Sequence, residues 1–146
     1  MNENFSYPMI GQPFPEIEVT TTMGDMKLPQ DTDGKWFVLF SHPSAYTPVC
    51  TTEFMTFGDM AHEFEKLDTE LIGLAVGAAT PHMKWTEWIE EQYDVKIDFP
   101  IIADVLGDVS KRLGMLHGAT GTNSVRSVFI VDDKGILRLI MYYPQE

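Results

Sequence analysis

The chain has one cysteine, Cys50, among 146 residues. That scarcity excludes a disulfide within the chain, a Cys-x-x-Cys redox pair and a cysteine-rich zinc site. Positive charge is scarce too: ten Lys and Arg stand against 22 Asp and Glu, a formal net charge of −12. A basic footprint for nucleic acid is missing, and anionic lipid would repel the chain. No apolar run approaches the roughly 20 residues that span a bilayer. The opening residues, "MNENFSYPMIGQPFPEIEV", lack the basic start and apolar run of a secretory leader. Repeats and low-complexity linkers are also missing. These absences lead us to expect no nucleic acid and no membrane as partners, and a cytoplasmic, reducing location.

What is present suits one globular domain over residues 1–146, with 44% hydrophobic and 22% charged residues. "EIEVTTTMGDMKLP" (16–29) alternates apolar and polar residues about Gly24-Asp25 and predicts a hairpin. "WFVLFS" (36–41) and "ELIGLAVG" (70–77) are continuous apolar runs, the pattern of strands buried on both faces. Phe54, Phe57, Ala61 and Phe64 recur at helical spacing after Cys50. "PHMKWTEWIEEQY" (81–93) predicts a second helix, "FPIIAD" (99–104) a short strand, and "GDVSKRLGM" (107–115) a short helix stopped at Gly114. "VRSVFIVDDKGILRLIMYY" (125–143) predicts two strands joined at Asp133, Lys134 and Gly135. Strands alternating with helices, then a hairpin, predict an α/β sandwich with a mixed central sheet.

The surroundings of Cys50 carry the chemistry. Thr47 suits an N-cap and Pro48 the first helical position. Cys50 then falls in the first turn, where backbone N–H groups lack intrahelical partners and the helix dipole is positive. Both effects favour thiolate and lower a cysteine pKa from about 8.5. A lone cysteine is more often buried and inert; the Thr-Pro-x-Cys helix start tells against that here.

The stretch "PSAYTPVC" (43–50), followed by "TTEF" (51–54), resembles the signature of the peroxiredoxins. "GKWFVLFSHP" (34–43), "HMKWTEWI" (82–89), "FPIIAD" and "VRSVFIVDDKG" (125–135) are similar to the one-cysteine branch of that family, with its archaeal and bacterial members. The resemblance implies a thioredoxin-like fold carrying an N-terminal hairpin addition. It implies a thiol-dependent peroxidase that reduces hydrogen peroxide and organic hydroperoxides, with no cofactor and no metal. Cys50 would be the nucleophile that becomes sulfenic acid. Thr47 would hydrogen-bond the sulfur and the peroxide, Pro43 would shield the sulfur from water, and Arg126 would be the family arginine. Glu53 and His82 are supporting candidates, each with a plainer reading as a solvated carboxylate and a structural histidine. With one cysteine, the sulfenic acid needs an external thiol or a thioredoxin- or glutaredoxin-type reductant. A homodimer or higher homo-oligomer follows from the family habit of pairing the last strand.

The chain departs from its relatives at Ala75 and Gly77, where they commonly carry Ser and Asp. It also reaches Glu146 without the helix that covers the sheet after the last hairpin in relatives, so a fragment, a truncated form or a short variant is expected. Two other enzyme classes fit less well: a disulfide oxidoreductase normally pairs two cysteines, and a cysteine hydrolase needs a histidine base. A non-catalytic redox sensor or chaperone-like module stays open. Among the remaining residues, His42 reads as packing, and Trp85, Trp88 and Tyr93 as core or interface. Asp104 and Asp108 read as helix capping, and Arg112 and Arg138 as surface charge.

Overall fold

The computed structural model describes residues 7–32, 34–42, 48–115 and 126–143, with the side chains of 48–50 left outside that description. Among the described residues, seven strands form one sheet: β1 (Ile17–Thr21), β2 (Gly24–Leu28), β3 (Trp36–Ser41), β4 (Thr69–Val76), β5 (Ile101–Asp104), β6 (Arg126–Val131) and β7 (Leu137–Tyr143). Three α-helices among the described residues accompany them, α1 (Pro48–Lys66), α2 (Ala79–Tyr93) and α3 (Asp108–Arg112), with one 3-10 turn at Gln30–Thr32. The strand order is β2-β1-β5-β4-β3-β6-β7. β4 pairs parallel with β3 and β5, and the outer strands run antiparallel to their neighbours. The predicted mixed central sheet and N-terminal hairpin are both present.

β3 shows why an unbroken apolar run belongs at the centre. Successive side chains of a strand point to opposite faces. Phe37 and Leu39 join a cluster with Phe14, Leu28, Ile72, Leu74 and Phe129 on one side. Val38 and Phe40 join Phe54, Trp85, Ile89 and Phe99 on the other, beneath α1 and α2. Both faces of the strand are therefore covered from Phe37 to Phe40, and all four of those positions are apolar. Phe54, predicted on the buried face of α1, is fully buried, with Phe57, Ala61 and Phe64 packed beside the same cluster.

Two turns differ from expectation. The first hairpin turns at Thr22-Met23, because Thr21 pairs with Gly24. The Thr21 hydroxyl donates to the Gly24 carbonyl at 2.6 Å and accepts from the Met23 N–H at 3.0 Å, closing a two-residue loop. Gly24, at φ +110°, thus opens β2 instead of centring the turn. The β6–β7 connection spans 132–136, wider than the predicted Asp133-Lys134-Gly135, because buried Asp132 organises it. Its carboxylate accepts from the N–H groups of Lys134 and Ile136, each at 2.9 Å, and from Arg138 Nε at 2.8 Å. Arg138 is surface charge as expected, with its side chain 57% exposed, and it also pairs with this buried carboxylate. The capping role expected of Asp104 is seen: its two oxygens accept from the N–H groups of Val109 and Ser110.

Candidate active site

Parallel β3, β4 and β5 end together at Ser41, Val76 and Asp104, and α1 and α2 begin just beyond the ends of β3 and β4. In open α/β sheets the crevice outside the carboxyl ends of the strands is where chemistry is placed. Cys50 is the third residue of α1, whose helix starts at Pro48 as predicted. No acidic residue occupies that first turn, so no carboxylate there opposes a thiolate. Pro43 and Thr47 lie outside the described residues, and so does the Cys50 side chain.

Arg126 is delivered by the antiparallel pairing of β6 with β3. That pairing sets Val128 opposite Phe40, so the start of β6 lies beside the end of β3. A buried serine pair fastens the junction: the Ser41 and Ser127 hydroxyls are 3.0 Å apart, and Ser41 Oγ accepts the Ser127 N–H at 2.9 Å. Arg126 then projects to the α1 side and is 5% exposed. Its Nη1 donates to Glu53 Oε1 at 2.8 Å, one turn of α1 beyond Cys50. A planar cation that cannot lose its proton is thereby fixed next to the helix that carries the only thiol. Burial pushes the Glu53 carboxyl above its usual range, and the charge of Arg126 offsets only part of that.

Aromatic rings wall the other side. His42, directly after β3, is fully buried. Its ring lies 4.6 Å from Phe54, 4.8 Å from Trp85 and 5.5 Å from His82, centroid to centroid. Trp85 is fully buried on α2, and its Nε1–H donates to Thr51 Oγ1 at 3.3 Å. His82 is 4% exposed and stands at right angles to His42. Burial lowers the His82 pKa, and a hydrogen bond to the Val76 backbone raises it by less. The neutral imidazole is the favoured form.

Among the predicted residues, the structure joins Arg126 to Glu53 and places His82 in the aromatic wall behind α1. Sequence reasoning missed Ser41 and Ser127, which lie 86 residues apart and look like ordinary strand residues. It also missed Thr51. Its position directly after Cys50, together with the buried face of α2, was the available signal.

The AhpC/TSA family model matches residues 10–140. Peroxiredoxin 1 of Caldanaerobacter subterraneus subsp. tengcongensis is 61% identical over 94% of the chain, which spans 64% of that protein. Peroxiredoxin 2 of Sulfurisphaera tokodaii is 61% identical over 95% of the chain, which spans 66% of it. The chain thus covers a little under two thirds of the curated relatives it matches. A yeast mitochondrial 1-Cys peroxiredoxin, solved to explain its thiol resolving mechanism via glutathione/thioredoxin systems, superposes with a TM-score of 0.86. It is 36% identical, over 94% of this chain and 68% of that one. A cysteine-to-serine mutant of peroxiredoxin 6 of Arenicola marina gives a TM-score of 0.86 at 33% identity, over 94% of this chain and 66% of that one.

Proposed function

This chain belongs to the AhpC/TSA family, and we propose that it is a thiol-dependent peroxidase in which Cys50 reduces hydrogen peroxide and organic hydroperoxides. The observation that supports this most is Arg126, nearly buried and held by Glu53 against α1, whose first turn carries Cys50. The names of the relatives at about 60% identity favour the enzyme over a sensor or chaperone-like module.

The reaction follows from these groups. The Cys50 thiolate attacks one peroxide oxygen, forming an S–O bond as the O–O bond breaks. The electron pair leaves with the second oxygen, which takes a proton to become water or alcohol, and Cys50 becomes sulfenic acid. Arg126 stabilises the thiolate and the charge growing on the departing oxygen. Thr47 orients sulfur and peroxide, and Pro43 keeps water from the sulfur. An external thiol then condenses with the sulfenic acid, releasing water and leaving a mixed disulfide; a second thiol attacks the sulfur of the first, forming a disulfide between the two external thiols and releasing Cys50 as thiolate. Glutathione or a thioredoxin- or glutaredoxin-type protein supplies those electrons in a reducing cytoplasm. A homodimer is proposed through β7, which lies at one edge of the sheet.

Stopped-flow oxidation of Cys50 by hydrogen peroxide, with Cys50→Ser as the blank, tests this reading. A rate orders of magnitude above free cysteine is expected. A rate equal to free cysteine overturns the peroxidase assignment.

A further inference from the structure

We propose that Trp85 is a positioning residue for the reaction at Cys50, acting through its hydrogen bond to Thr51 to hold the first turn of α1 in helical geometry. The inference rests on the peroxidase reading only for its rate measurements. Its structural content is separate.

The need for such a hold comes from the helix end. The first N–H groups of a helix have no intrahelical partner, and terminal turns open more easily than the middle. The electrostatic benefit to a thiolate exists only while those N–H groups stay aligned, and it falls off within one turn. A first turn that frays would lose the aligned dipole just where Cys50 sits. Something beyond α1 must therefore keep residues 48–51 helical.

Besides the packing of Phe54, two of the described polar side-chain contacts reach the start of α1, one from β6 and one from α2. Glu53 is held from β6 by Arg126 at 2.8 Å. Thr51, adjacent to Cys50, is held from α2 by Trp85 Nε1 at 3.3 Å. The second contact lies nearer the thiol in sequence and is dry: Thr51 is 7% exposed and Trp85 0%. Trp85 is a rigid anchor, because its ring packs 4.7 Å from Phe54 and 4.8 Å from His42. Phe54 in turn meets the β4 backbone, where an added Cβ on Gly73 would stand 3.2 Å from the phenylalanine ring. The indole is thus fixed to the sheet, and its N–H reaches one hydroxyl on the turn that must not move. Core burial alone needs no such hydroxyl, since Phe fills a comparable site.

The experiment uses Trp85→Phe, Thr51→Val, the double variant and Thr51→Ser in the purified protein. Two quantities are read: the rate of Cys50 oxidation by hydrogen peroxide, and the pH midpoint of Cys50 alkylation by iodoacetamide. Each single variant should slow oxidation roughly three- to tenfold, the range one neutral hydrogen bond spans, and move the alkylation midpoint upward. The double variant should be no slower than the worse single one, because both changes remove the same bond. Thr51→Ser, which keeps the hydroxyl, should restore wild-type values. Additive losses, or an alkylation midpoint unmoved in both single variants, overturn the proposal. If the wild-type protein oxidises no faster than free cysteine, the peroxidase reading fails, while the alkylation midpoints still decide the positioning role. Should Trp85→Phe not fold, Thr51→Val against Thr51→Ser carries the same comparison.

Discussion

Arg126 Nη1 lies 2.8 Å from Glu53 Oε1, so one ion pair ties the first residue of β6 to α1. The partners differ in burial: the Arg126 side chain is 7% exposed and that of Glu53 29%. Removing the cation therefore harms more than a surface pair would, since it strips a half-buried carboxylate of its compensation. Arg126→Ala should lower the rate of Cys50 oxidation by peroxide by about 100-fold, the typical loss of one preorganised charge-stabilising donor. Arg126→Lys should recover only part, because an ammonium lacks the planar fork. Stopped-flow traces on the three proteins provide the check, and an Arg126→Ala rate within a factor of about two of wild type would remove the arginine from the mechanism.

The raised Glu53 pKa gives a stability dependence of unusual sign for a carboxylate. The folded state holds the proton more tightly than the unfolded state does. The associated stability is full below the unfolded value, near 4.5, and is lost as pH rises through the folded one. Glu53→Gln should remove that decline. Urea midpoints measured from about pH 4 to pH 7 should then converge for the variant and wild type at the acid end and separate toward neutrality.

Asp132 titrates the other way. Burial raises its pKa, but the N–H groups of Ile136 and Lys134 and the charge of Arg138 lower it by more, so the net shift is downward. Its contribution is complete above the ordinary carboxylate range and disappears as pH falls through the lowered folded value. Asp132→Ala strands two backbone N–H groups and should cost about 2–4 kcal/mol, whereas Asp132→Asn keeps an acceptor oxygen and should cost less. Denaturant midpoints at neutral pH would show the ordering. Equal losses for the two variants would mean that the oxygen is not what holds the β6–β7 turn.

His82 brings a third pH window. Its pKa is lowered by burial, so the neutral ring is the folded form. The stability it carries is whole above about 6.5 and falls as pH drops through the folded value, because the unfolded chain takes up the proton first. Replacing it by Phe should flatten the wild-type loss of stability between neutrality and about pH 5. Urea midpoints across that interval test it; an unchanged slope would assign the acid loss to other groups.

The parts of this molecule that were legible in the sequence are those set by local pattern. β3 matches the run "WFVLFS" residue for residue, because burial on both faces demands apolar side chains from Phe37 to Phe40. The α1 start at Pro48 and the Asp104 cap follow from the chemistry of helix ends. The illegible parts depend on partners distant in the chain. Ser41 and Ser127 meet only once the β3–β6 register is known. The surface charge of Arg138 is legible, but its pairing is not until Asp132 is seen to be buried beside it. The Trp85–Thr51 bond joins two helices whose relative placement no periodicity encodes. The first hairpin turns at Thr22-Met23, two residues before the expected Gly24-Asp25, because the Thr21 hydroxyl sets the turn where glycine alone suggests one.

Gly58 poses a last question, whose answer depends on which of two effects is larger. It sits inside α1, where alanine is favoured over glycine by about 1 kcal/mol. On propensity alone, Gly58→Ala should stabilise. The surroundings argue otherwise. A Cβ there would stand 2.9 Å from Val95 Cγ1, 3.0 Å from Ile97 Cδ1 and 3.2 Å from the Lys96 carbonyl oxygen. The valine is stiff at χ1 and the carbonyl belongs to the backbone, so neither can retreat cheaply. Overpacking of this kind costs about 1–3 kcal/mol and can require the segment from Val95 to Ile97 to shift from α1. The clash should win, and Gly58→Ala should lose about 1 kcal/mol net, read as a lower urea midpoint at unchanged slope. A rise in the midpoint would show that this segment yields, and that helix propensity governs the position after all.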